Sequence, residues 1–131
     1  MKEPGERAMN PYLEVLDRRA FDQFVALWGE DAGEIIREIV TMYLDAGPHT
    51  LEEIRLALDA EDLPEARRLA HSFKANSATV GAHRLALLCQ RLEDAAKEGR
   101  KDEAYALLQD VEREFELVQK ALQNVLSVFG V

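Results

Sequence analysis

A chain of 131 residues with 47% apolar and 31% charged residues can build one hydrophobic core and is too apolar to be disordered. Its formal net charge of −9 excludes general nucleic-acid binding, which needs a basic surface to neutralise phosphates. The lone Cys89 excludes an intrachain disulfide and any cysteine-cluster metal site.

Residues 1–11 are polar, contain Pro4 and Gly5, and read as a flexible lead-in; residues 12–131 read as one domain. The lead-in does not look like a signal peptide, and no apolar run is long enough to span a bilayer. No membrane contact and a reducing cytoplasm are therefore expected. A start at Met1 and a length suited to one domain favour a free-standing protein.

From Leu13 to Trp28, apolar residues recur at helical spacing (Leu16, Ala20, Phe21, Phe24, Leu27, Trp28), which predicts one or two short helices lying as a lid. Asp31-Ala32-Gly33-Glu34 has the form of a capping box and opens a helix with Ile36, Val40 and Tyr43 inward. Gly47-Pro48 is expected to stop that helix and start another, with Leu51, Ile54 and Leu58 as its stripe. Asp62-Leu63-Pro64-Glu65 is a second capping box. It launches a helix that Gly81 breaks. Residues 82–98 follow with Leu85, Leu88, Cys89 and Leu92 on one side, and Gly99 is the expected C-terminal cap. A last helix covers roughly Asp102 to Val128. No segment alternates apolar and polar residues as a strand does. Long amphipathic helices on short connections predict an all-α, antiparallel up-down four-helix bundle, made of the last four long segments, with the N-terminal helices as a lid.

Winding Leu63 to Val80 at about 100° per residue gathers Ala66, Leu69, Ala70, Phe73, Ser77 and Val80 on one face. His71 falls roughly 160° from Phe73, on the outer face with Arg67, Arg68, Lys74, Ala75 and Ala78. Between Ala66 and Leu92 there is no acidic residue, but there are Arg67, Arg68, Lys74, Arg84 and Arg91. The other 11 basic and 25 acidic residues leave the rest of the chain at −14. A basic island on an acidic body suits a site that receives an anion.

The set His71-x-Phe73-Lys74-Ala75-x-Ser77-x-x-Val80-Gly81-Ala82, followed by Leu85, Cys89, Leu92 and Glu93, resembles the signature of histidine phosphotransfer (HPt) domains of multistep two-component phosphorelays. The flanking helix order fits the same family over nearly the whole chain. The resemblance implies a four-helix bundle whose exposed histidine accepts a phosphoryl group from a receiver-domain aspartyl phosphate and passes it to another receiver. It casts His71 as the phospho-accepting residue and Lys74 as the supporting cation, with Arg67, Arg68, Ala75 and Ala78 on the docking surface. It implies receiver domains of response regulators or hybrid histidine kinases as partners. No intrinsic cofactor or metal is implied, the Mg2+ being supplied by the partner receiver. Two positions depart from the family: Ala75 stands where glycine is usual, and Asn76 where a small residue is common.

Three other readings are weaker. A solvated histidine with no role leaves the surrounding pattern a coincidence. A di-iron bundle needs Glu-x-x-His pairs, yet Arg68, Ala46 and Val80 stand three residues before the histidines. An autophosphorylating kinase would carry an acidic residue after its histidine and a nucleotide-binding domain; here Ser72 follows and no length remains. The chain is therefore expected to be a phosphocarrier without ATP binding or autokinase activity. The alternative in the same fold is a non-catalytic module that binds and blocks or scaffolds a receiver or kinase. His49 and His83 are expected at the surface or a helix start, Cys89 in the core, and Ser77 bonded back to its own helix. The apolar stripes look consumed by one bundle, so a monomer is expected.

Overall fold

The computed structural model describes residues 14–129; the lead-in expected over residues 1–11 lies outside them. Five α-helices follow in order: α1 Arg19–Trp28, α2 Ala32–Asp59, α3 Leu63–Thr79, α4 His83–Lys97 and α5 Lys101–Val128. A 3-10 turn, Gly29–Asp31, joins α1 to α2. Connections of three residues reverse the chain between α2 and α3, α3 and α4, and α4 and α5. Such short links leave consecutive helices antiparallel. Each packs on its neighbour in sequence, and α2 packs on α5 to close the ring, while α1 lies against α2.

The capping signals acted unequally. Asp62 accepts from the Glu65 amide at 3.2 Å, with Pro64 in the first turn of α3. Asp31 makes no such bond, because the 3-10 turn already holds it in the helical region (φ −84°, ψ −7°), and a residue so placed does not act as an N-cap. Gly81 (φ 82°) ends α3 and Gly99 (φ 73°) ends α4, as expected. The Asp17 amide donates to the Gly81 carbonyl at 2.7 Å, and a Cβ on Gly81 would lie 2.7 Å from the Asp17 carbonyl oxygen. The α3–α4 turn is thereby stitched to the segment entering α1.

Gly47-Pro48 does not stop a helix; α2 runs through it for 28 residues. Ile36, Val40, Tyr43, Gly47, Leu51, Ile54 and Leu58 form one continuous buried stripe across both expected helices. Interior proline costs a helix about 3 kcal/mol. Burial of Leu51, Ile54 and Leu58 contributes about 1.5–3 kcal/mol each, so packing outweighs the local break. Gly47 is required by its neighbour: a Cβ there would sit 2.3 Å from Phe115 Cζ. The bundle is consequently α2–α5, with the segment opened at Asp31 forming the first half of α2.

α1 is a single short helix that buries only Phe21, so Leu27 and Trp28 are 77% and 48% exposed. One further expectation is corrected. Ser77 bonds not to its own helix but to the Tyr43 hydroxyl, at 2.7 Å, both groups being buried. Around them Tyr43, Phe73 and Phe115 form a triangle with ring centroids 5.7–5.8 Å apart. Cys89 is fully buried as expected, and burial pushes its thiol up to about 12.

The helices differ in length. The Tyr43–Ser77 and Arg84–Glu114 contacts fix the α3–α4 turn level with the middle of α2 and of α5. The long helices therefore overhang that turn by about nine residues (α2) and about thirteen (α5), roughly 14 and 20 Å at 1.5 Å per residue. Phe21 and Leu16, with Val125 and Phe129, fill the space beside the overhang. One half of the molecule is a four-helix layer and the other a three-helix layer of α1, α2 and α5.

Candidate functional site

Phe73 anchors α3 in the core at 2% exposure, and the helical period then turns His71 outward with its side chain 65% exposed. Its ring is nevertheless held. Nδ1 contacts Glu93 Oε1, which reaches across from α4. The other oxygen of the same carboxylate accepts from Lys74 Nζ at 3.2 Å, and Lys74 also donates to Gln90 Oε1 at 2.6 Å. Gln90 in turn donates from Nε2 to Asp94 Oδ1 at 2.9 Å. Five side chains thus form one line across α3 and α4.

Glu93 is nearly buried, its side chain only 10% exposed. Burial pushes its carboxyl upward, but hydrogen bonds and charge from His71 and Lys74 together outweigh that and hold it below the usual carboxylate range. An ionised carboxylate only accepts, so the ring proton sits on Nδ1 and the Nε2 lone pair is left on the exposed side.

The outer-face residues separate. Arg68 pairs with Glu65 one turn earlier, while Arg67 is exposed and has no partner among the described residues. Ala75 is exposed beside His71; Ala78, two turns along on the same face, is half-buried. With Thr79 and His83 it lines a groove of about 510 Å³ against Phe24 and Leu27 of α1, so α1 extends the face around the histidine. His49 is exposed and His83 opens α4, its Nε2 3.2 Å from Asp17 Oδ2.

The basic island is less basic in space than in sequence. Glu93 lies between His71 and Lys74, and Arg84 meets the buried Glu114 at 2.8 Å. The sequence motif includes Glu93 without assigning it a role, and Gln90 and Asp94 stand outside it. A signal for Glu93 was present: it lies four residues after Cys89 and next to Leu92, an acidic group on the apolar side of α4. Among the described residues no His, Cys, Asp and Glu side chains group as a metal site, and no helix is long and apolar enough to cross a membrane.

The described residues thus form an antiparallel helical bundle that presents an oriented, solvent-facing imidazole beside a lysine. The chain belongs to the Hpt domain family, whose model matches residues 38–127. It is 27% identical over 112 residues to Multistep phosphorelay regulator 1 of Schizosaccharomyces pombe, covering 86% of this chain but only 38% of that protein. It is 23% identical over 119 residues to Histidine-containing phosphotransfer protein 1 of Arabidopsis thaliana, covering 89% of this chain and 77% of the relative. Among solved structures, histidine-containing phosphotransfer protein B from Pseudomonas aeruginosa superposes with a TM-score of 0.74 at 29% identity, over 86% of this chain and 95% of that one.

Proposed function

We propose that this chain is a phosphorelay intermediate in which His71 takes a phosphoryl group from the aspartyl phosphate of one receiver domain and gives it to another. The observation that carries the reading is the exposed imidazole with Nδ1 held by Glu93. The Nε2 lone pair attacks phosphorus, the P–Nε2 bond forms as the aspartyl P–O bond breaks, and the carboxylate leaves on the receiver. The return step reverses these changes on the next receiver. Fixing the ring on α3 removes orientational freedom that the transition state would otherwise have to lose. The added group carries about −1.5 to −2 charges, by analogy with a phosphomonoester, and Lys74 is the cation in reach. Mg2+ and most of the electrostatic stabilisation come from the receiver, which leaves this domain no need of ATP or a metal of its own. The receiver docks over Ala75, Ala78 and the α1 groove, with Arg67 and Arg68 at the rim. The carrier works as a monomer in the cytoplasm.

The test is phosphotransfer from a receiver domain charged with acetyl phosphate and Mg2+, using the wild type and His71→Gln. Acid-labile, base-stable label on the wild type alone is expected. Complex formation with no label from any receiver would instead establish a non-catalytic binding module.

A further inference from the structure

The line of side chains contains two residues that the proposed transfer does not use, Gln90 and Asp94. On the antiparallel pair α3 and α4, Glu93 stands level with His71, and Gln90 stands one turn away, level with Lys74. The lysine ammonium is therefore drawn two ways. Toward the histidine it meets Glu93 Oε2 at 3.2 Å; at its own level it meets Gln90 Oε1 at the shorter 2.6 Å. The amide is not free to turn away, because Asp94 Oδ1 accepts from its Nε2 at 2.9 Å and so aims Oε1 at the lysine. Lys74 is half-buried, with a side chain 26% exposed, so these are not contacts of a freely waving surface chain.

We infer that Gln90, oriented by Asp94, is a positioning residue that holds Lys74 back from His71 and thereby sets how strongly the chain retains a phosphoryl group. The inference rests on the function proposed above. A phosphoryl group on Nε2 recruits the lysine as a counter-charge, and the Lys74–Gln90 bond is given up in that movement. Whatever stabilises the parked lysine disfavours the phosphorylated form by the same amount, because only differential interaction with the two states moves the balance between them. The Gln90–Asp94 pair thus tilts the carrier toward passing the group on.

The measurement is the partition of label between the chain and a receiver domain at equilibrium. Gln90→Leu removes the competing acceptor and is expected to raise the ratio of label on His71 to label on the receiver by about three- to tenfold, the range of one ordinary hydrogen bond. Gln90→Glu gives up the bond to Asp94 but sets a full negative charge against the lysine, and lowers that ratio. The Gln90→Leu effect is absent in a Lys74→Ala background. A general structural role would move both variants the same way and persist without the lysine; that result, or an unmoved partition, overturns the inference. Failure of the wild type to take up label would sink the proposed function itself, so the two failures are distinguishable.

Discussion

At Glu93 a carboxylate with only 10% of its side chain exposed takes hydrogen bonds from both His71 and Lys74, so the site and the acid stability of the fold are coupled. Its folded-state carboxyl is held below the ordinary 4.5, so at acid pH the unfolded chain binds more protons than the folded one. The resulting stabilisation is fully present above about pH 4.5 and is lost as pH falls through the lower folded value. Glu93→Gln keeps an acceptor for Nδ1 but removes this titration. The stability difference between wild type and variant, from urea unfolding at several pH values, is expected to be constant near neutrality and to shrink below about pH 4.5; a difference that grows in acid would contradict the assignment. His71 and Lys74 were legible in the sequence because a helical wheel separates outward from inward positions. Gln90 and Asp94 were not, since their meaning depends on the register between two helices, which periodicity within one helix does not contain.

The second helix shows where local rules yield. Gly47-Pro48 has the sequence form of a stop, and reading it as one was sound for an isolated segment. What overrides it is the buried stripe of Leu51, Ile54 and Leu58 beyond the proline, while the glycine itself answers to a partner 68 positions away in sequence, Phe115, whose ring occupies the space a side chain at Gly47 would need. Gly47→Ala is expected to destabilise the protein by about 1–3 kcal/mol through overpacking, although alanine is the better helix former. Combining it with Phe115→Leu should recover part of that loss, a coupling that a double-mutant cycle of thermal or urea unfolding would measure. Strictly additive losses, with no interaction energy between the two substitutions, would mean the ring is not the obstacle. The Asp31 cap failed for a related reason: the preceding 3-10 turn continues directly into α2, leaving no extended residue to act as cap. By contrast, Asp62, Gly81 and Gly99 marked their boundaries correctly, because each connection there is short and the signals lie within it.

At the scale of the whole molecule, the overhang of α2 and α5 divides the protein into two mechanical parts. The four-helix layer carries His71, Lys74, Gln90 and Glu93 on α3 and α4, whose inner faces are buried, with Asp62 capping the start of α3 and Gly81 and Gly99 closing the two C-terminal ends. The three-helix layer relies on α1, which has one buried side chain, Phe21, and several exposed apolar ones. Amide hydrogen exchange should therefore report two classes: α1 opening locally at a lower free energy than α3 and α4, which exchange only near the global limit. Uniform protection across all five helices would show a single cooperative unit instead. The division has an evolutionary consequence. With the receiver docked as proposed, a face that includes α1 would draw its partner contacts from a part of the chain that can be rewritten, substitution by substitution, without retuning the proposed nucleophile. Descendants of one such carrier can acquire new correspondents while their chemistry stays the same.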